Sequence, residues 1–453
     1  MNRYSKFILS FTAFLSACSI LFAAGNSESA KGPKTAEVKI WVRQSGPDAG
    51  FDAIINAFNE ANPDTHVSYE YYGENYPSVV QMAFASGNAP DIVEASAGIT
   101  VNDLAKSGNI VPLTDVLTPD LVSGLHPNAF SSLSLQYKGE PYSVPVRISG
   151  YRLYYNRDIF KKCGLDPDNP PKTLEELREY AKIITKEGKG DFYGFGLPLG
   201  VNQIWERVID PILIAQNECG RYGYNVDKNK YMFETNKRFF NFYIDLMKDG
   251  SLFPGYLTMG IDPLRANFHA GKVGMYIDGN WMVGQFPTQF KGSCNYDIAP
   301  LPVFAGEVAD KYWAESGLAW CITNGPNKEA AKKFYAFWLS HQELANQFMP
   351  VPRTYLAANR PENLPTDKFD IKGIKYGFKT DDLTIPYFEP HYFIVLEGEN
   401  RNRVFTNLFA EATQGSDISK KLDAAIDDLN KRYSDAFNKA LKSGAIDPSW
   451  IKK

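Results

Sequence analysis

A chain of 453 residues with 44% hydrophobic and 22% charged side chains is long enough to bury more than one core, and this composition excludes disorder over most of its length. Basic residues number 48 against 52 acidic, a net charge of −4 at pH 7. Without a basic excess, nothing points to a nucleic-acid partner.

At the N-terminus, Arg3 and Lys6 precede the apolar stretch Phe7 to Ala17, which runs into Leu15-Ser16-Ala17-Cys18. That is the layout of an export signal, and the tetrapeptide resembles a bacterial lipobox, in which the cysteine is acylated and becomes the first residue of the mature protein. Two alternatives stay open: a longer signal cut near Ala24-Gly25, and an uncleaved span at the lower limit of membrane length. Phe22 fits an A-x-A cleavage site badly. Residues 1–17 are thus expected to be a lipoprotein-type signal peptide with lipid on Cys18, and 18–36, which include the aperiodic "GNSESAKGPKTAE", a flexible tether.

From Val38 strands and helices alternate. "VKIWV" reads as a short buried strand; Phe51, Ile54, Ile55 and Phe58 follow at helical spacing until Pro63. His66 to Tyr71 alternates polar and apolar, Tyr76 to Ser86 is a second helix stopped by Gly87, and "PDIVEAS" opens another strand. Thr173 and Glu176 form a capping box before Leu174, Leu177, Ala181 and Ile184, with Gly188 expected to close that helix. "DFYGFGLPL", "KVGMYID" and "YDIAPLPV" read as strands, and Ile418, Leu422, Ile426, Leu429, Tyr433 and Phe437 as the apolar stripe of a long helix ending near Gly444. The order predicts an α/β fold with a mostly parallel sheet covered by helices.

The segments "FDAIINAFNEANPDTHVSYE", "MAFASGNAPDIVEA", "LAKSGNIVPLTD", "YKGEPYSVPVRISGYRLYYNRDIFKKCGLDPDNPPKTLEELREYAKIIT", "FHAGKVGMYIDGNWM", "YDIAPLPV" and "NGPNKEAAKKFYAFWLS" stand in the order found in the extracellular solute-binding proteins of family 1. The chain resembles that family over about residues 37–445. Its members are the sugar-binding subunits of ABC importers, maltose-binding protein being the best known. The resemblance implies a two-lobed, periplasmic-binding-protein-like fold of the class II type, with a ligand cleft between lobes joined by a hinge. It places lobe one at 37–147 plus 302–352 and lobe two at 148–301 plus 353–453, with crossings near Ser149, Pro300 and Arg353.

On that plan ligand residues stand beyond the carboxyl ends of the strands. The motif Asp278-Gly279-Asn280-Trp281 fits such an end: an indole can carry the C–H face of a sugar, while a carboxylate and an amide hydrogen-bond its hydroxyl rim. The competing reading makes Trp281 a core residue and Asp278 a helix cap. Other candidates at the same edge are Gln44, Ser45, Glu94, Ser96, Arg147, Ser149, Trp205, Trp313, Glu315, Ser316, Arg353 and Tyr355. Among these, Trp205 could equally anchor the core, Glu94 cap a helix, and Arg147 pair with a carboxylate across the hinge. The stretch "TIPYFEPHYFIVLEGENRNRV" departs from the maltose-binding pattern, and Tyr387 and Tyr392 are its nearest aromatic candidates.

The expected function is therefore capture of a mono- or oligosaccharide by lobe closure and its delivery to membrane permease subunits, outside the cytoplasm, by a monomer held to the membrane by an N-terminal lipid. A sensor or lectin-like role, and binding of a polyamine or a phosphorylated glycerol, are the alternatives. An enzyme is not expected. Asp278 and Glu315 could form a glycosidase pair only at the proper separation. The histidines are isolated, and Cys163, Cys219, Cys294 and Cys321 show neither metal-ligand nor redox spacing. No cofactor or metal is expected.

Overall fold

The computed structural model describes residues 35–451 apart from 44–46, 97, 126–128, 131, 291, 293, 347–375, 378, 380 and 387. Among the described residues nine strands hydrogen-bond into one sheet. They are β1 (Ala36–Val42), β2 (Thr65–Tyr71), β3 (Ile92–Glu94), β4 (Val144–Asn156), β5 (Tyr193–Gly196), β6 (Val273–Gly279), β7 (Tyr296–Ala299), β8 (Tyr312–Ile322) and β9 (Leu383–Thr384).

In the N-terminal half, β1 lies parallel between β2 and β3, and β3 pairs antiparallel with the last residues of β8. The helices on this sheet start and stop where local chemistry dictates. Asp48 accepts the amides of Gly50 and Phe51 through Oδ1 at 2.8 and 3.1 Å, leaving Phe51, Ile54, Ile55 and Phe58 buried on one face of the Ala49–Ala61 helix. Gly87 ends the Tyr76–Ser86 helix with φ 71°, the left-handed cap that favours glycine. The core on this side interlocks Phe51 with Trp320 and Trp338 at ring separations of 5.4 and 5.0 Å.

The C-terminal half is built around β4, which β6 flanks on one edge and β7 on the other, with β5 parallel to β6. Its helix Leu174–Gly188 opens with the complete Thr173/Glu176 capping box. Gly188 is the last helical residue rather than the stop, because the left-handed position falls one residue later on Lys189 (φ 48°). Helices Lys237–Lys248, Arg401–Thr413 and Ser419–Lys442 cover this half, burying Phe240, Phe405 and Phe409 around Trp205 and Leu429 in the same core.

Two long strands belong to both halves. Residues Val144–Gly150 of β4 pair with β8, and from Tyr151 onward β4 pairs with β6 instead. The return passage lies along β8 and not near Pro300. Leu301 and Val303 join the core of the C-terminal half, and the Asp310 amide donates to Ala215 O at 2.8 Å, so 302–311 pack on the half that the sequence reading had them leaving. The third expected crossing, at Arg353, lies outside the described residues, as do Cys18 and the signal segment. No described helix is long and apolar enough to cross a membrane. Cys163, Cys219, Cys294 and Cys321 are free thiols.

Candidate functional site

Where β4 and β8 run together, Glu315 stands opposite Ser149 and Gly317 opposite Arg147. Side chains alternate along a strand, so Arg147, Ser149 and Tyr151 share a face. Tyr151 continues that face as an aromatic shelf whose accessible end is the half-buried Trp281, Tyr151 and Trp313 being buried at 2% exposure each. Its ring stacks on Trp313 at 5.7 Å and 19°, and Trp281 meets it edge-on at 5.8 Å and 74°. Gly279 permits this arrangement. A Cβ there would lie 2.1 Å from the Trp281 ring, so the indole seats directly on bare backbone.

Arg221 closes the shelf from above, its guanidinium 4.4 Å from the centre of the Trp313 ring. It pairs with Glu206, lies 3.5 Å from Glu389, and donates to Tyr392 Oη at 3.0 Å. Glu206 also accepts from Asn402 Nδ2 at 2.6 Å and from the Tyr222 hydroxyl. Burial opposes ionisation of Glu206, but the Arg221 guanidinium and the Tyr222 hydroxyl outweigh it and hold the carboxyl below its usual range. Tyr222 sits in the left-handed region at φ 53°, ψ 31°, a strained conformation for an aromatic residue that this network maintains. Behind it, the fully buried Arg401–Asp210 pair ties the Arg401–Thr413 helix to the network.

Carboxylates from both halves converge here. Glu94 ends β3 and accepts the Arg43 amide at 3.1 Å through Oε2; burial pushes its carboxyl up to about 7. Burial does the same to Glu389, up to about 7 despite Arg221 beside it. Glu315 is exposed on β8, within electrostatic reach of Glu94 on one side and of Arg207, Glu389 and Tyr392 on the other. Glu94 and Glu389, pushed up to about 7, are part protonated at neutral pH, and a protonated carboxyl can both donate to and accept from a hydroxyl group.

Of the residues expected from sequence, the structure brings Glu94, Ser149, Trp281, Trp313, Glu315 and Tyr392 to this place. Arg147 lies on the same strand face but is engaged with Asp48 at 2.9 Å and stacks over Phe51, a pairing within the N-terminal half and not across the hinge. Ser96 forms a backbone bridge with Ile99, its hydroxyl without a partner among the described residues.

Three expected ligand residues are structural. Trp205 is fully buried; its Nε1 donates to Thr406 Oγ1 at 3.0 Å amid Phe240, Tyr243, Phe405 and Phe409. Asp278 is fully buried in a two-pronged pair with Arg265, at 2.7 and 2.9 Å, and is thus no free acid or base for a glycosidase pair. Asn280, also buried, exchanges hydrogen bonds with the backbone of Gly150 at 2.9 and 3.3 Å and so staples β6 to β4. Gln44, Ser45, Arg353, Tyr355 and Tyr387 lie outside the described residues, and Ser316 is described only as backbone of β8, opposite Ile148.

Sequence reasoning missed Tyr151, Arg207, Arg221, Glu206 and Glu389. The alternation in "VRISGYRLYYN" could have put Tyr151 on the face of Ser149, but Arg221 comes from an irregular loop without periodicity. A separate cavity of about 470 Å³ is bordered by Tyr155, Asp297, Leu301 and Tyr312. In its wall Tyr155 donates to Pro167 O, Tyr312 donates to Leu301 O, and Asp297 pairs with Arg157, while Asp168, Asn169, Lys172 and Tyr376 complete the lining.

Two α/β halves sharing two strands, with an aromatic shelf and opposed polar groups between them, define a two-lobed ligand-binding protein. The chain belongs to the bacterial extracellular solute-binding proteins, whose family model matches residues 44–345. It is 24% identical over 325 residues to an ABC transporter extracellular-binding protein of Pyrococcus horikoshii, covering 70% of each chain. It is 27% identical over 290 residues to the sn-glycerol-3-phosphate-binding periplasmic protein UgpB of Agrobacterium fabrum, covering 60% of this chain and 62% of that one. Its fold is shared with the cyclic alpha-maltosyl-1,6-maltose binding protein of Arthrobacter globiformis, at a TM-score of 0.68 and 19% identity over 91% of this chain and 100% of the other.

Proposed function

We propose that the protein captures a carbohydrate between its two lobes and hands it to the membrane permease of an ABC importer. The observation that carries this reading is the Trp313–Tyr151–Trp281 shelf. A sugar ring presents C–H faces that pack on such a surface and a hydroxyl rim that carboxylates read. The relatives supply two ligand chemistries for comparison, a cyclic maltosaccharide and a glycerol phosphate. Only the first has ring faces to lie against the accessible indole of Trp281. Closure follows from the placement of the polar groups: Glu94 lies on one lobe, Glu389 and Tyr392 on the other. A ligand touching both stabilises the closed form by its differential affinity for the two states.

The reading is of a binder without turnover. A thermal-shift screen over neutral oligosaccharides, acidic saccharides, sn-glycerol 3-phosphate and polyamines tests it, since a ligand of the folded state at a hundred times its Kd adds about 2.7 kcal/mol of apparent stability. Saccharides are expected to raise the transition; a response to polyamines alone would overturn the proposal.

The site of action is outside the cytoplasm, in keeping with the extracellular family. Lipid on Cys18 is part of the same proposal, supported by "LSAC" after a basic and apolar segment. Cys18→Ser is expected to abolish acylation and detergent partitioning of the exported protein, and a mature mass identical to wild type apart from the Ser–Cys difference would reject the anchor.

A further inference from the structure

The cavity of about 470 Å³ beside β7 stands apart from the aromatic shelf. Along β4, Tyr155 in its wall is four residues beyond Tyr151, a separation of about 13 Å. On β8, Trp313 belongs to the shelf, and its neighbour Tyr312, turned to the other side by strand alternation, lines the cavity.

The walls are pinned by two arginines. Arg157 donates to Pro167 O at 2.8 Å and pairs with Asp168 at 2.6 Å and Asp297 at 2.9 Å, which fastens the loop 166–172 to β7. The Val303 amide donates to Lys172 O at 3.3 Å and the Leu174 amide to Val303 O at 2.8 Å, so the end of that loop is held as well. Arg152 of β4, fully buried, donates to Tyr376 O at 2.8 Å and Lys379 O at 3.1 Å and keeps Tyr376 in place. A preformed space of this volume falls in the range of small-molecule sites, about 300–1,000 Å³.

Its chemistry narrows the occupant. Tyr312, Tyr376, Pro170 and Pro300 give it ring faces. The hydroxyls of Tyr155 and Tyr312 have donated to Pro167 O and Leu301 O, and each oxygen can still accept. The side chains of Asn169 and Lys172 are exposed at the rim and have no partner among the described residues. Arg157 stands against two carboxylates, Asp168 and Asp297, and the Lys172 ammonium balances the charge that is left over. A lining that is neutral as a whole gives no advantage to an ion of either sign. Ring faces with a free amide, an ammonium and hydroxyl oxygens around them suit a neutral molecule that has C–H faces and a rim of hydroxyls.

We propose that this cavity is a second saccharide site, separate from the cleft, which takes a neutral mono- or disaccharide with its ring against Tyr376 and its hydroxyls on Asn169 and Lys172. It does not rest on the reading of the cleft, and the two can fail independently.

The test is calorimetric titration of the mature protein, of the double variant Asn169→Ala with Lys172→Met, and of Trp281→Ala, using glucose, galactose, maltose, maltotriose and, as a planar anion, benzoate. A neutral saccharide is expected to fill two sites per wild-type chain. In the double variant the cleft keeps its affinity and the second site weakens about 10-fold or more, the loss of two hydrogen bonds; Trp281→Ala does the reverse. One site per wild-type chain, unchanged in the double variant, overturns the cavity and leaves the cleft reading standing. One site that survives Trp281→Ala and is lost in the double variant supports the cavity and removes the cleft reading. Benzoate bound in place of every saccharide, and lost in the double variant, overturns the saccharide. Silence from every probe overturns both readings. Should the double variant fail to fold, Lys172→Met alone decides, because that side chain is exposed and has no partner to lose among the described residues.

Discussion

Asp278→Ala is expected to cost about 3–5 kcal/mol of folding stability, the scale of stripping one partner from a buried ion pair. The carboxylate is fully buried and accepts two hydrogen bonds from Arg265 and one from the Gly279 amide. Removing it would leave Arg265 with Asp262, whose side chain is 71% exposed, and water would screen that remaining pair. Asp278→Asn, which keeps an acceptor for Gly279, should lose less. The double change Arg265→Met with Asp278→Leu should recover much of the loss, because it removes the charges together. Chemical denaturation measures the stability, and titration of the folded fraction measures affinity, which is expected to stay close to wild type. A variant of normal stability and much weaker binding would restore Asp278 to the ligand.

Trp281→Ala should do the opposite. The indole is half-buried, edge-on to Tyr151 and seated on Gly279, so its loss shortens the shelf without opening a sealed cavity. Binding should weaken by about 1–3 kcal/mol, roughly 5- to 150-fold, as for a large aromatic contact at a hot spot. Folding stability should change little beside the 3–5 kcal/mol or so typical of a buried tryptophan cut to alanine. The same pair of measurements reads it. A large loss of stability with unchanged affinity would return Trp281 to the core and remove the shelf as a binding surface.

Asp278 and Trp281 are three positions apart in one motif and are expected to fail in different ways, and this contrast marks the reach of sequence reasoning. A carboxylate, an amide and an indole at the end of a strand can all face a cleft, and nothing local distinguishes them. Arg265 decided the case for Asp278, and the Gly150 backbone decided it for Asn280. Trp205 and Trp313 could not be told apart either. The rings of Phe240, Phe405 and Phe409 that enclose Trp205 come from distant helices, whereas Trp313, buried as well, stacks on Tyr151 and carries the Arg221 guanidinium over its face.

The sequence by itself determined what depends on neighbours in the chain. Asp48 and the Thr173/Glu176 box set helix starts by capping amides within reach, and the spacing of Phe51, Ile54, Ile55 and Phe58 set a buried face through the helical repeat. The order of such segments carried the α/β class and the family. Only the tertiary structure decided the chemistry of the cleft. Glu206, Arg221, Glu389 and Asn402 meet there from positions far apart in the chain, and an ion pair has no sequence period by which one partner announces the other. It also decided that the two lobes exchange partners along β4 and β8. A strand's alternation records which residues share a face, but not which neighbouring strand it will pair with, nor whether that face meets a core or a ligand.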